Sequence, residues 1–190
     1  SVACICTSNY VKRLNVFRGN VPLLRHVILM DEPSPLPEAE GLTTMKTIMN
    51  LELNSENKAK LEKAQEAVDK HDVTFILYTS GTTGVPKGAM LTHFNIIKNC
   101  VATANVLACS PQDKYLIPVP FSHCFGCVLG ITLATLTGSP MVPLKDQEPT
   151  VAIKKIIDEK ATVAHGTPTH FVRYIRYIKD NNADTSCLRT

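Results

Sequence analysis

Apolar and polar positions alternate along this chain in blocks rather than residue by residue. Val2–Cys6 is a short apolar run that predicts a buried strand, with Tyr10–Arg18 as a short helix and His26–Met30 as a second strand. "DEPSPLPEAEG", Asp31–Gly41, is rich in Pro and Glu and predicts a surface connection. In Asn57–Lys70 the apolar Leu61, Ala64 and Val68 share one helical face among charges, which predicts a solvated outer helix. "VTFILY", Val73–Tyr78, is apolar nearly throughout, as strands of parallel sheets tend to be. A glycine-rich stretch follows, then a helix over Thr92–Ala108. There Ile97, Cys100, Val101, Ala104, Leu107 and Ala108 keep the spacing of one buried face.

Further strands are predicted at Tyr115–Val119, Met141–Leu144 and Ala161–Ala164, with helices near Cys124–Leu136, Val151–Glu159 and Thr169–Ile178. Strands alternating with helices imply an α/β fold, a largely parallel sheet with flanking helices. The pattern divides into residues 1–72, a partial α/β subdomain with the Pro/Glu-rich connection and the outer helix, and residues 73–190, a second and incomplete α/β subdomain.

From Tyr115 to Leu144 there is no Asp, Glu, Lys or Arg, a run long enough on paper to span a bilayer. Pro118, Pro120, Gly126, Gly138, Pro140 and Pro143 break it into strand, helix and strand. A spanning helix would have to absorb those breaks, whereas a buried β-α-β segment explains them, so no transmembrane span is assigned.

A composition of 44% hydrophobic and 19% charged residues is that of a soluble globular protein. The net charge of +3 is small and the basic residues are scattered, with no aromatic-and-basic ladder, which excludes nucleic acid as a partner. Seven cysteines make an odd number without the spacing of a small disulfide scaffold. They read as free thiols in a reducing compartment, the cytoplasm or, alternatively, the mitochondrial matrix. Cys124 and Cys127 stand at CxxC spacing, yet no second pair lies at a zinc-finger distance, so no metal site is assigned.

The candidate chemistry lies in "YTSGTTGVPKGAMLTH", Tyr78–His93. Gly81, Gly84 and Gly88 free the backbone to bring N–H groups close to a ligand, and successive N–H groups make an anion-binding concavity. The hydroxyls of Thr79, Ser80, Thr82 and Thr83 add donors that reorient around a polyphosphate, and Lys87 adds a mobile positive charge. It is not a Walker A loop, because Lys87 is followed by Gly88 rather than Ser or Thr. On chemistry alone the stretch is a phosphate cradle or a polar surface turn.

"YTSGTTGVPKG" resembles the signature of the adenylate-forming (AMP-binding) superfamily of acyl-CoA synthetases, luciferases and aryl-CoA ligases. "AMLTHFNIIKN", Ala89–Asn99, continues the family pattern, and "PVPFSHCFGCVLG", Pro118–Gly130, resembles its segment of apolar strand, aromatic, His and Gly. "VAHGTPTHFVRYI", Val163–Ile175, is similar to the Gly-Thr-Pro-Thr segment of the medium-chain fatty-acid–CoA ligase branch. The resemblance implies an ATP-dependent reaction in two steps: a carboxylate gives acyl-adenylate and pyrophosphate, then CoA displaces AMP. It implies that Thr79, Ser80, Gly81, Thr82, Thr83, Gly84 and Lys87 hold the β- and γ-phosphates of ATP, with Lys87 and Thr82 acting in catalysis. It further implies that His123, Gly166, Thr167 and Pro168 line the acyl or CoA side.

The superfamily's Tyr-Gly-x-Thr-Glu and Thr-Gly-Asp segments and its C-terminal lysine do not occur here, so the Mg2+ ligands are expected outside this chain. The chain is accordingly expected to be an internal part of a large N-terminal domain, inactive or nearly so by itself. An aryl-CoA ligase, a luciferase-like enzyme and a truncated non-catalytic nucleotide-binding module remain as alternatives. His93, His165 and His170 are expected to pack or cap, and Phe94, Ile97, Phe125, Leu129, Phe171 and Ile175 to be core.

Overall fold

The computed structural model describes residues 2–79 and 84–190. They divide into two compact units, Ser1–Ala67 and Val68–Thr190.

The first unit carries β1 (Ala3–Cys6), α1 (Val11–Phe17), β2 (His26–Leu29), β3 (Leu42–Thr44), α2 (Met45–Met49) and α3 (Ser55–Glu66). Its strands form a parallel sheet in the order β1-β2-β3. Val11 of α1 closes on Val27 and Leu29 of β2, all three essentially inaccessible, with Leu14 and Leu42 packed around them. Asp31, just past β2, accepts the Ser8 backbone N–H at 2.8 Å. Hydrogen bonds from Ser8 hold its carboxyl below the usual carboxylate range. The expected surface connection is held to α1 by Asn15, which donates to the Glu38 carbonyl at 3.0 Å, and to the turn after α1 by Arg18, which donates to the Glu40 carbonyl at 2.7 Å. β3 and α2 are too short to register as periods in the sequence. α3 is capped by Asn54, whose Oδ1 accepts from the Asn57 N–H, and it buries no residue, in keeping with a solvated helix.

The second unit runs β4 (Val73–Thr79), β5 (Lys87–Thr92), α4 (His93–Val106), β6 (Tyr115–Ile117), a π-helix (Phe125–Thr132) continuing into α5 (Leu133–Thr137), β7 (Met141–Pro143), α6 (Pro149–Glu159), β8 (Val163–Ala164) and α7 (Pro168–Asn181). β6 is the middle strand of a parallel sheet in the order β7-β6-β8. Its residues are buried on both faces, as a central parallel strand requires. Tyr115 and Ile117 pack with Ile96 and Cys100 of α4 and with Val128 and Leu133. Leu116 packs on the opposite side with Ile153 and Ile156 of α6 and Tyr174 of α7.

One element departs from the sequence pattern. The expected strand, loop and helix are instead strand, connection, strand and helix, because Lys87–Thr92 pairs antiparallel with β4. β4 is therefore not a strand of the parallel sheet. Its inward residues Phe75 and Leu77 face Leu91 and Ala89 across the pair, while Ile76 and Tyr78 point outward and are exposed. α4 is also turned relative to the expected face: Ile96 and Cys100 are buried, whereas Ile97 and Val101 are exposed.

The end of the chain is locked onto this unit through Asp113, which is 3% exposed. Arg189 makes a bidentate contact with it, Nε to Oδ1 at 2.7 Å and Nη2 to Oδ2 at 2.6 Å. Thr162 donates to Oδ1 at 2.8 Å, and the Ser110 N–H donates to Oδ2 at 2.8 Å. The Arg189 hydrogen bonds hold the Asp113 carboxyl well below the usual carboxylate range, against the opposing effect of burial.

Two predictions follow from this packing. Asp113→Asn should cost about 3 kcal/mol in urea unfolding, because it leaves Arg189 facing a neutral, weaker acceptor. Because the folded carboxyl is the stronger acid, its stabilisation is complete above about pH 5 and is lost as pH falls towards the folded value. The wild-type urea midpoint should therefore drop below that pH, and the Asp113→Asn chain should show a shallower drop.

Candidate functional site

The two ends of the hydroxyl-rich segment face each other across the β4–β5 pair. Thr79, the last residue of β4, is the register partner of Lys87, the first of β5. The Thr79 hydroxyl is directed at the Lys87 carbonyl at 3.5 Å, and both residues are exposed. Gly84 adopts φ +80° with open space where a side chain would begin, a conformation that suits only glycine without strain. Lys87 makes no ion pair among the described residues. A hydroxyl, a lysine and a left-handed glycine thus stand at the same end of the pair, and this set fits a polyphosphate. Ser80, Gly81, Thr82 and Thr83 lie outside the described residues.

The base of the pair is anchored to α4. Thr92 is the helix cap, its hydroxyl accepting the Asn95 N–H at 3.2 Å while Asn95 Oδ1 accepts the Thr92 N–H at 3.2 Å. His93 therefore begins the helix but does not cap it; its backbone N–H donates to the Asp72 carbonyl at 3.2 Å.

His123 lies between β6 and the π-helix. Its Nδ1 accepts the Phe125 N–H at 3.1 Å, and its carbonyl accepts the Cys127 N–H at 3.0 Å, so it starts the helix. The imidazole is exposed. The π-helix itself rests on β6 and its exit: a side chain at Gly126 would run into the Pro120 and Val119 carbonyls, and one at Gly130 would sit 2.8 Å from Ile117 Cγ2. The Cys100 thiol of α4 donates to the Val128 carbonyl at 3.3 Å, fixing the other side.

Gly166, Thr167 and Pro168 join β8 to α7. Thr167 caps the helix with His170: its backbone N–H donates to His170 Nδ1 at 3.1 Å. Nδ1 is then an acceptor, and the proton on Nε2 donates to Gln147 Oε1 at 3.1 Å. His170 thus ties the start of α7 to the segment before α6, which is the packing role expected for it.

Two clefts flank the π-helix, both lined chiefly by apolar side chains. One of about 370 Å³ is lined by Leu91, Ile96, Cys124, Phe125, Val128 and neighbours. The other, of about 460 Å³, is lined by Phe125, Leu129, His165, Gly166, Phe171 and neighbours. Of the expected acyl-side residues, Gly166 lines the larger cleft; Thr167 and Pro168 serve the helix start, and His123 adjoins the smaller cleft through Cys124. Phe125, Leu129 and His165 were not expected here, since an apolar helical stripe in sequence does not tell core from cleft wall. The His165 ring packs 5.5 Å from Tyr115 and 6.1 Å from Phe125. Its Nε2 is sealed from solvent without a partner among the described residues, and burial pushes the imidazole below its usual pKa.

Among the described residues no group of three His, Cys, Asp or Glu side chains is placed to hold a metal ion. No helix among them is long and apolar enough to cross a membrane. All seven cysteines are unpaired.

The sequence matches the AMP-binding enzyme family over residues 2–190. YngI of Bacillus subtilis (strain 168) is 46% identical over 132 residues, 70% of this chain and 24% of that protein. The medium-chain acyl-CoA ligase ACSF2, mitochondrial, of Danio rerio is 32% identical over 157 residues, 81% of this chain and 25% of that protein. The chain thus spans about a quarter of the length of these curated relatives. Among solved structures, the anthranilate CoA ligase AuaEII in complex with anthranoyl-AMP superposes with a TM-score of 0.75 at 21% identity, over 100% of this chain and 35% of that one. At that identity the likeness speaks for the fold. The chain belongs to the AMP-binding enzyme family, the adenylate-forming superfamily, in its acyl-CoA synthetase branch.

Proposed function

We propose that this chain carries the pyrophosphate side of the active site of an ATP-dependent fatty acyl-CoA synthetase. In the first step a carboxylate oxygen attacks the α-phosphorus of ATP, and the bond to the β-phosphate oxygen breaks, releasing pyrophosphate. In the second, the CoA thiol attacks the acyl carbonyl and AMP leaves. The observation that carries this reading is the facing pair of Thr79 and Lys87 at the end of β4 and β5, beside two apolar clefts.

In this reading the Thr79 hydroxyl, the Gly84 backbone and the Lys87 ammonium hold the β- and γ-phosphates together with Ser80, Gly81, Thr82 and Thr83. Charge builds on the departing pyrophosphate, and donors already aimed at it lower the barrier without reorganising. Lys87 supplies a point charge from a paired strand rather than from a free loop, which fixes its stem while leaving its head mobile. Mg2+ accompanies the nucleotide and is held by groups other than these. His123 lines the acyl or CoA side, and the acyl chain occupies the clefts by the π-helix, next to Gly166.

The apolar lining supports a fatty acyl substrate, and ACSF2 is named a medium-chain acyl-CoA ligase. The seven free thiols support a reducing compartment, the cytoplasm first and the mitochondrial matrix as the alternative.

The test is ATP–pyrophosphate exchange by the full-length protein with saturated fatty acids. Lys87→Ala should slow adenylation on the order of 100-fold, while affinity for the acid changes little. Unchanged exchange would remove Lys87 from the reaction, and no exchange with any carboxylate in the wild type would overturn the function.

A further inference from the structure

We propose that Cys124 and Cys127 are a redox-active dithiol, a modification site at which a hydroperoxide closes a reversible disulfide. The site uses neither ATP nor an acid and stands apart from the function proposed above.

The π-helix starts from Cys124, and Cys127 lies one turn on, its N–H donating to the His123 carbonyl at 3.0 Å. Residues three apart on a helical turn have Cα atoms about 5 Å apart, inside the window of roughly 4.4–6.8 Å that a disulfide allows. Their Cβ atoms, roughly 5–6 Å apart, must approach by about 1 Å to be bridged. Cys124 can make that move, because it is the exposed residue at the end of the helix.

The two thiols have different surroundings. The Cys124 Sγ lies 3.7 Å from His123 Nδ1. That nitrogen already accepts the Phe125 N–H at 3.1 Å, so it holds no proton and is free to take the one on the thiol. Exposure, a neighbouring imidazole, a helix start and CxxC spacing are the settings in which cysteines react. Cys127 is half-buried; burial first, and then Cys124, push its thiol up, which keeps it protonated until Cys124 has reacted. Cys100, the third thiol of this region, does not compete: it is fully buried and donates to the Val128 carbonyl at 3.3 Å.

Hydrogen peroxide is the oxidant. The Cys124 thiol passes its proton to His123 Nδ1, and its sulfur attacks one peroxide oxygen. The O–O bond breaks, Cys124 becomes a sulfenic acid, and the departing hydroxide takes the proton back as water. The Cys127 sulfur then attacks the Cys124 sulfur, the S–O bond breaks, and the hydroxide leaves with the Cys127 proton as a second water. Two thiols have lost two electrons and two protons, and one peroxide has become two waters. Cys124 lines the smaller cleft, so the change is made at that cleft's wall. A bridge that thiols reopen also suits a reducing compartment.

The experiment treats the full-length protein with enough hydrogen peroxide to oxidise free glutathione completely. Remaining thiols are blocked with N-ethylmaleimide, and the tryptic peptide Tyr115–Lys145 is weighed. Cys124 and Cys127 stay together on it, whereas Cys100 falls on Asn99–Lys114. Without peroxide the peptide should carry two maleimides. With peroxide most of it should carry none and be lighter by two hydrogens, and dithiothreitol should restore both thiols. Cys127→Ala should stop at the Cys124 sulfenic acid, which dimedone traps. Cys124→Ser should slow the oxidation of Cys127 on the order of tenfold. Two intact thiols on the treated wild-type peptide overturn the proposal, as does a bridge from Cys127 to the Cys100 peptide. The wild-type measurement needs no substitution, so it decides the matter even where a variant does not fold.

Discussion

Around Asp113 the second unit gathers elements that are far apart in sequence. The carboxylate sits just before β6, takes a bidentate contact from Arg189 at the end of the chain, and accepts from Thr162 just before β8. Arg189 also donates to the Leu107 and Ala108 carbonyls beyond the end of α4, at 2.8 and 3.1 Å. A buried carboxylate without these donors would be expensive, and with them it sets where β6, β8 and α4 end relative to one another. The backbone follows the same path, since the Arg189 N–H donates to the Thr162 carbonyl at 2.9 Å and the Ala164 N–H to the Thr190 carbonyl at 2.9 Å.

With those ends fixed, β6 acts as the spine. Burial on both faces lets Tyr115 and Ile117 build the layer beneath α4 and the π-helix, while Leu116 builds the layer beneath α6 and α7. The candidate site draws on the first of these layers. The β4–β5 pair is tied to the start of α4, the π-helix is pressed onto β6 by its two glycines, and the clefts open along the π-helix between α4 and the β8–α7 junction. The β4–β5 pair and the apolar clefts therefore share one scaffold.

The fold was legible in the sequence wherever an element was long enough to show a period or was buried on both faces. β2, β4, β6, α4, α6 and α7 lie close to their expected positions. β5 was missed because "KGAMLT" holds a glycine, an alanine and a lysine, so its alternation is weak, and its inward partner Leu91 is recognisable only opposite Phe75. The turned face of α4 has a related cause: Ile96 and Ile97 are adjacent and equally apolar, and only the position of β6 selects Ile96 for the interior. The helix expected at Cys124–Leu136 is real, but its first half is a π-helix, a geometry that no spacing rule separates from α.

The candidate site divides along the same line. The chemistry of Thr79, Gly84 and Lys87 follows from residue type, because hydroxyls, glycines and a lysine in close succession are suited to phosphate whatever the fold. That Thr79 and Lys87 stand opposite one another is a consequence of strand register, which joins residues eight positions apart. His123, Gly166, Thr167 and Pro168 were singled out by resemblance; the structure gives His123 and Thr167 roles in starting helices and leaves Gly166 at a cleft. The sequence by itself determined the alternating α/β order and the phosphate-suited segment, since both rest on local chemistry and period. Only the tertiary structure decided which apolar residues are core and which are walls. Phe125 and Leu133 are both apolar positions of one predicted helix, and the difference lies in what the neighbouring elements place against them.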